Sequence, residues 1–262
     1  MSSPSVPIAS DAAPPTAAPA TSPGGRWLLP ALTLWQREMV RFLRQRNRVI
    51  GALATPLMFW LVLGSGLNHA QVASPGGPSD QGMGYMAYFY PGTLVLILLF
   101  TAIFSTISVI EDRREGFLQA VLAAPAPRLA IVLGKVLGGA SLAVGQGLLF
   151  LLLWPIAGGS LSLGGLLAAA GAMAVLSMGL MALGLCIAWP MDSTAGFHAI
   201  MNLFLMPMWF LCGAVFPVAT APVWMRAIML ANPLTYGYSV LARLLHGPGT
   251  PAAAVPLPLA LT

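Results

Sequence analysis

PGTLVLILLFTAIFSTISVIEDRREGFLQAVLAAPAPR, residues 91–128, contains the two features that define this chain. Its first twenty residues, 91–110, carry no charge and can cross a bilayer core as a helix. The next five, Glu111, Asp112, Arg113, Arg114 and Glu115, are all charged, in a chain that is only 7% charged. Pro125 and Pro127 follow. An apolar run that ends in mixed charge predicts a membrane helix reaching water, with a short helix beyond it. Over 111–124, Phe117, Leu118, Val121 and Leu122 form an apolar stripe at helical spacing, and the prolines stop it. Mixed charge on this helix favours protein contact over simple attraction to lipid.

Composition agrees with a membrane protein. The chain has 262 residues, 58% of them hydrophobic, and a mean hydropathy of +0.83. Soluble domains carry about 25% charged residues, so lipid is the solvent this surface suits. Arg26, Arg37, Arg41, Arg44, Arg46 and Arg48 precede the first apolar run, and Arg113, Arg114, Arg128 and Lys135 surround the charged block. Arginines beside spans mark the cytoplasmic side. They do not suggest nucleic acid, because no soluble domain is left to shape a groove. Cys186 and Cys212 lie inside apolar runs and read as small hydrophobes. His69, His198 and His246 are scattered, and neither a metal-ligand spacing nor a catalytic constellation appears.

Further spans are expected at residues 49–67, 136–156, 163–188 and 198–215. From 136 to 191 there is no formal charge, and AGGS at 157–160 divides that run in two. Residues 1–25 read as a disordered cytoplasmic tail rich in Pro, Ala and Ser. Residues 26–48 read as an amphipathic interfacial helix, with Leu34, Met39, Phe42 and Leu43 on one face and Arg37, Arg41, Arg44 and Arg48 on the other. Residues 216–247 are apolar but broken by Pro217, Pro222 and Pro233, which suits short re-entrant helices on the outer side. The tail 250–262 ends in an apolar run of about 16 Å as a helix, an incomplete sixth span.

The pattern E-D-R-x-E-G-F-L-Q-x-x-L-x-x-P-x-x-R-x-x-I-x-x-G-K, from Glu111 to Lys135, closely resembles the signature of type-2 ABC transporter permeases. YFYPGTLVLILLF at 88–100, the Phe216–Pro217 pair and ANPLTYGYSVLARLLHG at 231–247 add to the resemblance. It covers roughly residues 30–250 and includes exporters of drugs, lipo-oligosaccharides and polysaccharides. The resemblance implies an all-α, six-span permease of the bacterial cytoplasmic membrane, with both termini inside. It implies two permeases, here a homodimer, with two ATPase subunits that hold ATP and Mg; this chain would be no enzyme and hold no cofactor. The helix after the second span would be the coupling element, with Glu111, Asp112, Arg113, Arg114, Glu115, Gly116, Phe117 and Leu118 at the ATPase. The arginine-rich helix resembles the family's connecting helix.

Other classes fit less well. Ion-coupled transport normally places ionisable groups within spans, and the five spans drawn above contain no Asp, Glu, Lys or Arg. An intramembrane enzyme would need a polar constellation, and only scattered Ser, Thr, Asn and Gln are present. A non-transporting membrane scaffold regulated by an ATPase stays open as the alternative. Gly134 and Gly138 form a GxxxG pair, read as packing within one subunit rather than between two. Met201, Met206 and Met208 read as core before they read as a substrate path.

Overall fold

The computed structural model describes residues 25–71, 84–123 and 127–247, less the side chains of 25–27, 67–71 and 220. The tail 1–24, the loop 72–83 with Asp80, and the partial span 250–262 therefore lie outside the described residues. Every regular element among those described is helical. In order these are α1 (Gly25–Arg44), α2 (Arg46–Gln71), α3 (Tyr85–Tyr88), α4 (Tyr90–Arg114) and α5 (Phe117–Ala123). They continue with α6 (Arg128–Leu151), α7 (Leu163–Ala188), α8 (Thr194–Trp209), α9 (Val223–Ala231) and α10 (Pro233–His246). Five stretches among the described residues are long and apolar enough to cross a membrane: Arg46–Gly66, Tyr85–Arg114, Arg128–Leu151, Leu163–Ala188 and Thr194–Ala214.

The central helix is α4, buried almost along its whole length. Its sequence is apolar on every side, as a helix surrounded by others must be. It packs on α2, α6, α7 and α8. By contrast α2, α7 and α8 turn many apolar side chains outward, among them Met58, Leu61, Val175, Leu203 and Phe204. In a membrane these surfaces meet lipid tails or another protein without the cost that water would impose.

An aromatic cluster closes the end of the bundle away from the charged block. Trp60, Tyr90, Phe150 and Trp154 pack there, with ring centroids 4.5 Å apart for Tyr90 and Phe150. Buried tyrosines need partners. Tyr88 donates to the Gly213 carbonyl at 2.9 Å, where Gly213 has φ +100° and breaks the helical path after α8. Asn232 caps α10 through the Leu234 amide and also donates to the Met208 carbonyl. Thus α9 and α10, which occupy the proline-broken stretch, are anchored on the end of the fifth span.

Several boundaries differ from the sequence reading, for physical reasons. The arginine-rich helix and the first span are separate helices broken at Gln45, so Arg48 belongs to α2. Residues 111–124 are not one helix. α4 continues through Arg114, Gly116 turns the chain at φ +76°, and α5 starts at Phe117. Only glycine adopts that conformation without strain. The helix of the third span, α6, begins at Arg128, which brings Lys135 within it.

Candidate functional site

The charged block is the place where the chain departs most from a simple apolar bundle. Glu111, Asp112, Arg113 and Arg114 form the last turn of α4, so their side chains fan out around its axis. Two of them face α1. Asp112 is fully buried and accepts from Arg37 through both carboxylate oxygens, at 2.7 and 3.1 Å. It also accepts from Arg41, and from Lys135 at 2.6 Å. Lys135, almost wholly buried on α6, reaches Glu38 of α1 at 2.8 Å. Glu111 accepts from Arg41 at 2.9 Å and from Arg48 of α2. The result is a paired network of acids and bases joining α1, α2, α4 and α6.

Such burial is costly unless each charge is paired and hydrogen-bonded, and Asp112 meets that condition three times over. Arg37 is partly buried, which pulls its pKa down. The hydrogen bond and charge of Asp112, with Glu38 and Glu115, more than offset this and raise it. The guanidinium also lies 3.7 Å above the Phe117 ring of α5, a cation–π arrangement.

Arg113 and Arg114 face the α7–α8 turn instead. Arg113 donates to the Trp189 carbonyl and to Asp192 at 3.3 Å, and Arg114 donates to the Asp192 carbonyl at 2.8 Å. Both therefore hold the turn between α7 and α8. Glu115 is mostly exposed, with one longer ion pair to Arg41 at 3.5 Å. Leu118 is buried, whereas Gln119, Ala120, Leu122 and Ala123 are exposed. Of the four arginines expected on one basic face, Arg37, Arg41 and Arg48 are engaged with acids of α4, and Arg44 is exposed.

α1 can reach this network because α6 offers it a groove. A Cβ on Gly134 would lie 2.7 Å from the Leu34 Cβ and 2.9 Å from the Ala31 carbonyl. On Gly138 it would lie 2.9 Å from the Glu38 Cβ. The GxxxG pair therefore serves helix contact within one subunit. Trp35 adds a hydrogen bond to Ser141 at 3.1 Å. α1 thus packs on protein along one face, with Ala31, Leu34, Glu38 and Phe42 buried, and exposes Leu28, Leu29, Leu32, Val40 and Leu43. Leu43, expected beside Leu34 and Phe42, lies on the exposed side.

Two members of the network were missed in the sequence: Glu38 and Lys135. A signal existed for both. Glu38 follows Ala31, Leu34 and Trp35 on the buried stripe of α1, and Lys135 lies among Ile131, Gly134, Gly138 and Leu142 on that of α6. Opposite charges on two apolar stripes predict a buried pair. The earlier premise that the span helices lack ionisable groups is corrected, since Asp112 and Lys135 are buried on two of them. Met201 is core, while Met206 and Met208 are half-buried. Among the described residues, no group of acids, histidines and cysteines is placed to hold a metal.

The fold and the charged end define a multi-pass, all-helical membrane protein whose central helix ends in an ion network. The family model for the ABC-2 type transporter matches residues 31–245, and the chain belongs to that family. It is 26% identical over 205 residues to transport permease ycf38 of Cyanophora paradoxa, covering 78% of this chain and 69% of that one. It is 28% identical over 236 residues to nodulation protein J of Rhizobium leguminosarum bv. trifolii, covering 86% and 84%. Nodulation protein J of R. leguminosarum bv. viciae is 27% identical over 231 residues. The chain is thus a transmembrane transporter subunit.

Proposed function

We propose that this chain is the permease of an ATP-driven exporter, with ATP and Mg bound on a separate ABC ATPase. The observation that carries the reading is the set of ties around α5. Phe117 lies under Arg37, Leu118 is buried, and one turn earlier Glu111 and Asp112 bind α1, α2 and α6. Arg113 and Arg114 hold the α7–α8 turn. A push on α5 would therefore reach the central helix and its neighbours together, instead of bending one loop. The exposed Glu115, Gln119 and Ala120 offer the surface for the push.

In this reading ATP binding closes two ATPase subunits, and their motion is delivered at Glu111–Leu118. Two copies of the permease enclose the path. The charged end faces the cytoplasm of a bacterium, α1 lies at the membrane boundary with its exposed leucines in lipid, and the aromatic end faces out. The apolar spans suit an amphiphilic cargo such as a drug, a lipid or a lipid-linked saccharide. The motif's resemblance to exporters of drugs, lipo-oligosaccharides and polysaccharides supports such a cargo.

The test is purification of a tagged chain from its native membrane, followed by flux measurement in vesicles. A co-purifying ATPase with a phosphate-binding loop, and flux that needs ATP, are the expected results. ATPase activity stimulated by the chain with no flux of any amphiphile would replace this reading with the scaffold.

A further inference from the structure

A groove of about 530 Å³ opens between α5, α6 and α7. Ile131, Val132, Leu185 and Cys186 form its walls, and Leu122 and Trp189 its edge. Arg128 stands at the rim. Unlike Arg37, Arg41, Arg48, Arg113 and Arg114, it makes no hydrogen bond or ion pair among the described residues. Among the described residues, no acid lines the groove. The walls belong to two membrane-crossing helices close to their charged ends, and Trp189 sits at the end of α7, where tryptophan prefers the membrane boundary.

We propose that this groove binds one anionic phospholipid, with an acyl chain against Ile131, Val132 and Leu185 and its phosphate on Arg128. Charge complementarity selects the headgroup. A guanidinium with no carboxylate beside it among the described residues attracts the net negative charge of an anionic headgroup more strongly than a zwitterionic one, whose choline or ethanolamine cation offsets its phosphate. Depth selects lipid over a protein partner, because the walls lie within spans, where acyl chains are the available apolar ligand. Arg113 fixes the far edge of the groove by holding the Trp189 carbonyl. Occupancy would therefore brace α6 against α7 beside the turn that Arg113 and Arg114 hold. The proposal depends on the chain crossing a membrane, not on its cargo or on export.

Cys186 provides a native reporter, since it lines the groove and is exposed while Cys212 is buried. The full chain in neutral detergent is titrated with phosphatidylglycerol, phosphatidylcholine of the same acyl chains, or inorganic phosphate, and maleimide modification of Cys186 is timed. Phosphatidylglycerol should slow modification saturably, at roughly fivefold lower concentration than phosphatidylcholine, the factor expected of one arginine near a lipid surface. Arg128→Gln should erase that preference and Arg128→Lys should keep most of it. Native mass spectrometry should show the same loss of bound phosphatidylglycerol in Arg128→Gln. Equal protection by the two lipids, or a preference that survives Arg128→Gln, would overturn the proposal. Protection by inorganic phosphate alone would replace it with a free-anion site. Protection only on adding the ATPase partner would replace it with a protein contact.

Discussion

Asp112→Asn tests whether the ion network holds the charged end together. The substitution keeps shape and removes the charge that Arg37, Arg41 and Lys135 share. Arg37 and Arg41 are partly exposed and can turn toward water, so their loss is small. Lys135 cannot, being 3% exposed, but it keeps Glu38 at 2.8 Å. Removing one partner of a buried pair costs about 3–5 kcal/mol. With Glu38 remaining, the lower end applies, about 3 kcal/mol, or roughly 6–12 °C in Tm for a chain of this size. The assay is thermal unfolding in detergent of a Cys186→Ala background, followed by a thiol-reactive dye at the fully buried Cys212. Adding Lys135→Met should recover part of the loss, because the half-paired cation is gone while Glu38 keeps Arg37 at 3.4 Å. The two changes should be non-additive by about 1 kcal/mol or more. If Asp112→Asn costs under about 1 kcal/mol, or the pair is additive within about 0.5 kcal/mol, the reasoning fails and the network is peripheral.

The exposed part of the block should behave differently. Glu115→Lys should leave Tm almost unchanged, since its single ion pair is long and solvated, yet reduce flux per ATP hydrolysed in reconstituted vesicles; normal flux would remove Glu115 from the coupling role. Gly134→Val should detach α1 and cost about 1–3 kcal/mol through overpacking against Leu34 and Ala31, read as faster proteolysis within α1; a protected α1 would refute that contact. Gly116→Ala meets open space but a left-handed backbone, so it should cost about 1–2 kcal/mol by strain alone, measured as a Tm shift in the same dye assay. For topology, cysteine introduced at Asp192 should be labelled only from the cytoplasmic side and at Asp80 only from outside; the reverse pattern would invert the proposed orientation.

Much of the class of this protein is written in hydropathy. Lipid solvation depends on composition over twenty-residue windows, and 91–110 or 163–188 need no tertiary information to read as helices in a membrane. The motif from Glu111 to Lys135 also carried the family, because it preserves order and spacing that can be read along the chain. The burial of charge was harder to read. The stretch EDRRE gives no indication along the chain that Asp112 faces inward to Lys135, twenty-three residues later, while Glu115 faces out. That depends on α4 continuing one turn past its apolar run, and on Gly116 turning the chain only after the acids have been placed.

Local pattern thus determined an all-helical membrane chain, the approximate position of its spans, and a charged end beside Gly116. Tertiary structure alone decided which charges face one another. Glu38 and Lys135 lie ninety-seven residues apart, and they meet because two glycines on α6 let α1 approach closely enough for the ions to pair. In a low-dielectric interior an ion is tolerated only against its counter-ion, so the role of each charge was fixed by the helix packed across from it.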